Sequence, residues 1–539
     1  MSGALGGETP PVATGPSVGR VLANVSLILT LAALASRLLG WIRLLVIGSQ
    51  FGATNELDAY FAAFRIPDAI FQLVVAGALS AALIPVFSGY RARGEEDEAW
   101  RLASSVINLV LIALAAFSAV MAITAPWVVP IIAPGFDAET TELTVRMTRL
   151  MLLSPVFVGM GAVVSGLLNS HERFTLPAIA PLVYNLAIIA AAVILAPLVG
   201  VEGLAIGVVI GSILHLAIQL PALRGVGQRY DLTLGLGHPG VRQVVWLMGP
   251  RMLGLAAGQL NFIVSTVLAS GLAVGSVTAY NYAFQLSQIP VGVLGVSVAV
   301  ALFPTFSRDA ALGRIAEIRR QLSTSLRVLI FLAAPLTAIT IVLAGPIAAV
   351  FFQYGLFSAE ASERTAGALV FFSIGLGGHI VVHVMTRAFY AMQDTRTPVL
   401  WAIVAVAINV PLMIVLAGPM GIEGLALALS ISATLEVLGL VWALRQRIGS
   451  IEEAEVLGSA ARSGLAALVA GLVMFGGLAA TQAWLADMLV NGAGRVLALA
   501  VLAGGGTAIY LMAASALGSD EFAQVRRYLA GRGRRRGAP

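Results

Sequence analysis

The chain has 539 residues; 59% are hydrophobic, only 11% are charged and none is cysteine. Ordinary soluble domains carry about 25% charged residues, so this composition excludes a soluble protein, and the missing cysteine excludes disulfides and thiolate chemistry. The pI of about 9.8 does not indicate a nucleic-acid partner, because the basic residues are distributed as membrane topology requires.

Apolar runs of roughly 20 residues, each long enough to cross a hydrocarbon core as a helix, recur along the chain. We predict helices near 21–48, 58–88, 102–125, 146–168, 177–199, 202–223, 242–271, 277–304, 322–346, 365–391, 398–418, 422–444, 460–484 and 492–516. The first is expected to be retained rather than cleaved as a signal peptide, because its apolar stretch is too long and lacks a small-residue cleavage site. The expected protein is all-α and polytopic, with about 14 transmembrane helices.

The distribution of arginine predicts the orientation of these helices. All 32 basic residues are arginine, and 23 of them lie in the N-terminal segment, the even-numbered loops and the C-terminal tail. The odd-numbered loops and their helix edges hold only Arg146, Arg149, Arg364 and Arg495. The positive-inside rule therefore places both termini in the cytoplasm.

Short strings recur at an offset of about 220 residues, which indicates an internal duplication. "VEGLAIG" at Val201 recurs as "IEGLALA" at Ile422, and "DAYFAAF" at Asp58 parallels "TAYNYAF" at Thr278. Six predicted helices separate each string from its partner, so the two halves run parallel. The predicted organisation is a cytoplasmic N-terminal segment (1–20), a first lobe (21–225), a second lobe (240–447), two further helices (460–516) and a basic cytoplasmic tail (517–539).

Two parallel-repeat six-helix lobes around a central cavity are typical of a transporter in which one bundle rocks against the other. The fold class predicted from the sequence is this pair of lobes, with two C-terminal helices outside the repeat.

Five arginines fall at membrane depth: Arg37, Arg43, Arg65, Arg251 and Arg387. A central arginine costs about 2.5 to 3.5 kcal/mol on insertion scales, so it normally faces a bundle interior or a wet cavity. The first two are six residues apart, which is roughly 9 Å along a helix and about 120° in azimuth, and this spacing suits the two sides of an elongated anionic group.

Each of these polar residues also has a structural interpretation. Arg43 lies near a helix end, where an arginine can extend its side chain to the headgroups. Arg65 has Asp68 nearby as an ion-pair partner, and Asp58 can cap the second helix.

The tenth predicted helix carries His379, His383 and Arg387 at i, i+4 and i+8, on one helical face. We expect this stripe to line the cavity and, through the histidines, to respond to pH. Two histidines at this spacing can bind zinc, but no acidic residue lies between them and no third ligand is evident. We therefore prefer cavity lining without a metal.

Seven strings run in order along nearly the whole chain: "SRLLGWIR", "FGATNELDAYFAAFRIPD", "GALSAALIPVFS", "APWVVPIIAPGF", "PVGVLGVSVAVALFPTFS", "FQYGLF" and "RAFYAMQDTRTPV". Together they resemble the bacterial murein lipid II flippase family (MurJ or MviN), of the multidrug/oligosaccharidyl-lipid/polysaccharide exporter superfamily. The resemblance implies a transporter, not an enzyme, that moves an undecaprenyl-pyrophosphate-linked disaccharide pentapeptide to the outer leaflet.

The resemblance also implies site residues. The family's first-helix arginines match Arg37 and Arg43, and its acidic residue at the start of helix two matches Asp58. Better-known members carry further arginines where this chain has Phe71 and Gln285, and a glutamate where it has Ala76. The predicted substrate-binding set is Arg37, Arg43, Asp58, Arg65, Arg251, Gln285, His379, His383 and Arg387.

We expect no cofactor and no metal, and coupling of transport to the membrane potential or to an ion. The expected partners are the lipid-linked pyrophosphate, the bilayer and cell-wall synthesis proteins, and not nucleic acid. One alternative is a flippase or exporter of another polyprenyl-linked polysaccharide unit, or a multidrug exporter, of the same superfamily. An enzyme acting on polyprenyl phosphates would need grouped acidic metal ligands, and a scaffold would need no buried arginine.

Overall fold

The computed structural model describes residues 18–73, 80–224, 230–485 and 492–523, and within these ranges it is helical without any strand. It confirms the predicted fold class of two parallel lobes followed by two C-terminal helices. Most of the N-terminal segment 1–20, Ala76, and the tail from residue 524 lie outside the described residues.

The helices of the first lobe overlap the predicted segments, and some are longer than predicted: one spans Glu96–Ile132, where 102–125 was predicted. They are α1 (Val18–Phe51), α2 (Asn55–Phe71), α3 (Ser80–Ala92), α4 (Glu96–Ile132), α5 (Ala138–Met151), α6 (Ser154–Ser170), α7 (Thr175–Ile194), α8 (Ala196–Val199), α9 (Glu202–Ala217) and α10 (Leu220–Leu223).

The second lobe and the C-terminal pair follow in the same manner. They are α11 (Pro239–Ser270), α12 (Ser276–Pro290), a π-helical segment (Val291–Val296), α13 (Ser297–Ala311), α14 (Ile315–Val342), α15 (Ala344–Phe352), α16 (Ala359–Ile374), α17 (Leu376–Ala391), α18 (Arg396–Ile448), α19 (Glu453–Leu485) and α20 (Gly492–Ala516).

Each of the predicted segments falls on a helix or on an interrupted helix among the described residues, and residues 74–79 of the predicted segment 58–88 lie outside them. Gly421, with φ of 60° and ψ of −138°, divides α18 into two parts, which we call α18N (396–420) and α18C (422–448). In the described ranges ten helices are long and apolar enough to cross a membrane, or eleven if α16 and α17, bent by 48°, form one span. The number fourteen stays a prediction.

Three apolar cores show how the lobes meet. One core contains residues of both lobes, such as Phe51 of the first and Phe352 of the second. The other two belong mainly to one lobe each, around Phe87 and around Phe306. The lobes are therefore joined by a shared core at one end, whereas towards the other end each lobe has a core of its own. We call the joined end, with the loops near residues 53, 135, 273 and 355, the sealed end.

The segment between the lobes packs on the first lobe. Asn108 Nδ2 donates to Thr233 O at 2.8 Å, and Val241, at the start of α11, lies in the first lobe's own core. Near its other end α11 belongs to the second lobe, where Asn261 Oδ1 accepts from Asn409 Nδ2 at 2.9 Å. Helix α11 thus crosses from one lobe to the other.

The C-terminal pair docks on α14. Tyr510 is buried, its hydroxyl donates to Phe331 O at 2.7 Å, and its ring packs on the Phe331 ring at 5.3 Å. At the opposite end of α14 from the sealed end, Arg327 donates to Glu521 at 2.8 Å and to Glu455 at 2.6 Å. These contacts fix α19 and α20 to the second lobe.

Tyr510→Phe tests this docking. Removal of the hydroxyl leaves a buried carbonyl without its donor, which costs about 1 kcal/mol, so we expect the thermal unfolding midpoint in detergent to fall by about 2 °C. Tyr354→Phe is the control, since Tyr354 is 42% exposed. Equal shifts for both variants would contradict this role of Tyr510.

Candidate functional site

Asp58, predicted to contact substrate or to cap its own helix, caps a helix of the other lobe. It is 3% exposed and accepts hydrogen bonds from Gly275 N at 2.8 Å, Thr278 N at 2.7 Å and Thr278 Oγ1 at 2.6 Å. These donors belong to the start of α12, where free N–H groups and the helix dipole favour a negative charge. Asp58 therefore links the lobes at the sealed end, and its contact with substrate stays a prediction.

Asp58 and Thr278 are also duplicates of each other. They occupy equivalent positions in "DAYFAAF" and "TAYNYAF", 220 residues apart. Two residues related by a twofold axis can touch only close to that axis, so the pseudo-twofold axis passes through the sealed end.

Two glycine contacts repeat this symmetry on either side of the axis. Gly135 N donates to Ser270 Oγ at 3.2 Å, and next to Gly355 the backbone N of Leu356 donates to Ser49 O at 2.8 Å. A Cβ on either glycine would clash with the backbone of the opposing lobe. The lobes approach this closely because both positions lack a side chain.

Arg65 hydrogen-bonds to the second lobe, and among the described residues it forms no ion pair with Asp68, the structural alternative that the sequence offered. Its Nε donates to Thr266 Oγ1 at 2.8 Å and its Nη2 to Asn281 Oδ1 at 2.6 Å. The guanidinium also lies 5.3 Å from the centroid of the Phe262 ring, within the range of a cation–π contact. Arg65 is thus a second polar link between the lobes.

Arg37 extends toward the second lobe from α1. A Cβ added to Gly292, in the π-helical segment, would lie 3.4 Å from Arg37 Nη1, so the guanidinium is beside that segment. Gln285, the repeat counterpart of Arg65, is exposed on α12, one and a half turns before the segment. Among the described residues neither side chain forms a hydrogen bond or an ion pair.

Arg43 faces the interior of the first lobe. It lines a cavity of about 260 Å³ together with Asp68, Phe71, Tyr184 and His215, which we call the first-lobe cavity. Phe71, at which the family resemblance led us to expect an arginine, forms part of this wall. Arg37 and Arg43 therefore point to different lobes, in agreement with their azimuthal separation of about 120°. They lie on the two sides of the interface between the lobes, which we call the seam.

The three residues of the stripe on α17 lie in three different environments. His379 enters the interior of the second lobe, and a Cβ on Gly295 would lie 3.1 Å from His383 Cδ2. Arg387 lies over the Phe303 ring of α13, 5.4 Å from its centroid. The stripe thus packs along α13 and the π-helical segment, and its exposure to a central cavity stays a prediction.

A second cavity, of about 200 Å³, lies inside the second lobe and is lined by Asn261, His379 and Glu436 among mostly apolar residues. We call it the second-lobe cavity. Sequence reasoning missed Glu436 and His215, although the repeat offset that relates "VEGLAIG" to "IEGLALA" aligns these two residues. In the described part of the chain no three His, Cys, Asp or Glu side chains are placed to hold a metal ion.

The arginines predicted at membrane depth do not form one cluster among the described side chains. Arg43 lies in the first-lobe cavity, Arg37 beside the π-helical segment and Arg387 on α13. Arg251 lies in α11, and its side chain is outside what the structure describes.

A cross-link tests the sealed end. We expect Ser49→Cys/Leu356→Cys, joined by a short bis-methanethiosulfonate reagent, to lose transport completely and to regain it after reduction, because the lobes cannot part while the two backbones are tied. The cysteine-free parent makes the background zero, and each single cysteine variant is a control. Full transport by the cross-linked protein would show that this end does not open.

Comparison with known proteins identifies the relatives of this architecture. The family model described as "Lipid II flippase MurJ" matches residues 47–493. A protein named "Lipid II flippase MurJ" from Burkholderia cenocepacia is 36% identical over 422 residues, which cover 77% of this chain and 82% of that one. A "Probable lipid II flippase MurJ" from Rhizobium tropici is 30% identical over 521 residues, covering 94% and 96%.

Solved structures share the fold. A lipid II flippase MurJ in an inward closed conformation superposes with a TM-score of 0.77 at 24% identity, covering 91% of this chain and 98% of that one. An inward-facing MATE family transporter of the MOP superfamily gives a TM-score of 0.67 at 15% identity, covering 79% and 96%.

Proposed function

This chain belongs to the lipid II flippase MurJ family, and on that premise we propose that it carries lipid II, the undecaprenyl-pyrophosphate-linked precursor of peptidoglycan, from the inner to the outer leaflet. It is a multi-pass protein of the inner membrane. Curated relatives at 30% and 36% identity bear the name of this activity.

The observation that carries the mechanism is the arrangement of the cores. One apolar core joins the lobes at the sealed end, whereas the opposite end has a separate core in each lobe. Such a molecule is open to one side of the membrane, and parting of the sealed end would open it to the other. This is alternating access.

The orientation is part of the proposal. The arginine distribution supports cytoplasmic termini, which makes the sealed end periplasmic and the open end cytoplasmic. The headgroup of lipid II then enters from the cytoplasmic leaflet, and release requires the contacts of Asp58, Arg65, Gly135 and Gly355 to separate.

We assign the binding of the pyrophosphate group to the arginines at the seam. An anionic headgroup that leaves water needs replacement hydrogen bonds, and a guanidinium supplies charge-assisted, often bidentate ones. Arg37 and Arg43 lie on opposite sides of the seam, and Arg387 supplies further charge on the second lobe; Arg251 of α11 belongs to the same proposed set. Because Asp58 and Arg65 are held by hydrogen bonds to the opposite lobe, we assign them to the contacts that keep the sealed end closed and not to the substrate site.

Coupling to the membrane potential or to an ion, without a cofactor, belongs to the same proposal. So does contact with cell-wall synthases, because these enzymes consume the flipped precursor at the outer face.

Rescue of a strain depleted of its own lipid II flippase tests the activity, with outer-leaflet lipid II measured directly. We expect the native chain to restore outer-leaflet lipid II. Arg37→Ala, Arg43→Ala and Arg387→Ala should each lower it at least tenfold at unchanged membrane abundance, since each loses about 1.5 to 3 kcal/mol of headgroup binding. Arg320→Ala is the control, because Arg320 is exposed and, among the described residues, pairs only with Glu317. Failure of the well-expressed native chain would favour another polyprenyl-linked substrate.

The variant Arg37→Lys tests whether Arg37 contributes hydrogen bonds of defined geometry or only a positive charge. Lysine keeps the charge but loses the planar fork, so we expect transport by Arg37→Lys to fall severalfold in the same rescue assay. An arginine that only reaches the headgroup region would tolerate lysine, and unchanged transport would remove Arg37 from the site.

A further inference from the structure

The first-lobe and second-lobe cavities occupy equivalent places in the duplicated scaffold. At the offset of 221 residues that relates Val201 to Ile422, four lining residues of one cavity correspond to four of the other. The pairs are Val158 and His379, Pro181 and Ala402, Tyr184 and Ala405, and His215 and Glu436. The last pair places one ionisable side chain at the same point of α9 and of α18C.

The charge in the two cavities differs. The first-lobe cavity contains a cation, Arg43, beside Asp68, Tyr184 and His215. The second-lobe cavity contains no arginine or lysine among its lining residues, and Glu436 forms no hydrogen bond or ion pair within the described part of the chain. The carboxyl group therefore lies at membrane depth without a cationic partner.

Every helix around Glu436 contributes neutral or apolar groups apart from one histidine. Helix α11 supplies Gly258 and Asn261, α17 supplies His379, and α18N supplies alkyl side chains only. His383 and Arg387 lie farther along α17, against the π-helical segment and α13. Thus His379 and Glu436 are the titratable groups that face this cavity.

An ionised carboxylate in such a place is costly unless it is paired, so Glu436 must take up either a metal cation or a proton. Hard cations require about six oxygen ligands. Apart from Glu436 the side chains of the lining offer two oxygens, Asn261 Oδ1, which accepts from Asn409 Nδ2 at 2.9 Å, and Ser432 Oγ, whose hydroxyl donates to Leu429 O at 2.9 Å. With the two oxygens of Glu436 the lining side chains supply four oxygen atoms, fewer than the about six of a hard-cation site, so the lining favours a proton.

We propose that Glu436, with His379 across the second-lobe cavity, is a proton-binding site that controls the sealed end. The inference rests on the proposed alternating access. In the sealed state the cavity is small and mostly apolar, so the carboxyl is held neutral by a proton on one of its oxygens. Loss of that proton to water stabilises the state in which the lobes part and the cavity is hydrated. Low pH therefore closes the sealed end and high pH opens it.

The test is a distance measurement on the full-length protein in lipid nanodiscs, with spin labels on cysteines at Leu198 and Leu356. Both positions are on the sealed end, one on each lobe, and they are 76% and 68% exposed. We expect the sealed fraction of the otherwise native protein to fall as pH rises between about pH 5 and about pH 9. One linked proton changes the ratio of the two states at most about tenfold per pH unit.

Variants locate the response. Glu436→Gln should remain sealed at every pH, and His379→Gln should shift the midpoint of the titration. Glu363→Gln, which alters an exposed carboxylate of the same lobe, should behave like the parent. A parent-like response of Glu436→Gln, or no response of the parent, would overturn the proposal. If the sealed fraction changed with sodium concentration at constant pH and ionic strength, and did not change with pH, the site would bind sodium and the proposal of a proton would be wrong.

If Glu436→Gln does not fold, infrared spectroscopy of the native protein can still detect protonation of Glu436. The native protein should gain the carbonyl band of a protonated carboxylic acid as pH falls, and Glu436→Asp should shift that band; a band that does not move refutes the assignment. Neither readout needs lipid II. A chain that titrates but fails the rescue assay contradicts only the proposed substrate, and one that rescues without titrating contradicts only this inference.

Discussion

The carboxylate of Asp58, on the pseudo-twofold axis, holds the two lobes together at the point where a transporter of this kind must later part. It accepts three hydrogen bonds from the start of α12 and is shielded from water by an apolar core shared between the lobes. Charge-assisted hydrogen bonds are strong in such surroundings, yet water can replace each of them when the end opens. The net cost of opening is therefore much smaller than the strength of the bonds, and the contact can be both specific and reversible.

Hydropathy and the recurrence of short strings were sufficient to predict the helices and the duplication. Hydropathy placed the spans, and the repeat offset predicted two parallel lobes. The contacts of Asp58 and Arg65 were beyond this reasoning, because local spacing offered a partner on the same helix for each, the second helix's own start and Asp68. The structure pairs both residues across the lobe interface. Which duplicated residues lie on the axis depends on how the lobes dock, and no spacing within one lobe contains that information.

The same limit explains the arginines and the missed cavity residues. The six-residue spacing of Arg37 and Arg43 correctly implied different azimuths, but only the packed bundle shows that one side chain meets the second lobe and the other enters the first. His215 and Glu436 were missed because a lone histidine or glutamate in an apolar helix has no local pattern. The repeat offset aligns them, and that alignment is the signal that sequence reasoning left unused.

The duplicated halves share an apolar scaffold and differ at their polar positions, as Asp58 and Thr278, Arg65 and Gln285, and His215 and Glu436 show. In the proposed mechanism, an asymmetric set of charges on a symmetric frame lets the two lobes respond to different ligands, an anionic headgroup at the seam and a proton in the second lobe. The energies are compatible with such a division. Reversing a two-state equilibrium from 1:99 to 99:1 requires about 5.5 kcal/mol of differential binding, and hydrogen bonds to charged groups contribute about 1.5 to 3 kcal/mol each. Two to four guanidinium contacts that form in only one state therefore suffice to drive the lobes apart, while a single proton, limited to about 1.4 kcal/mol per pH unit, adjusts the balance and does not determine it alone.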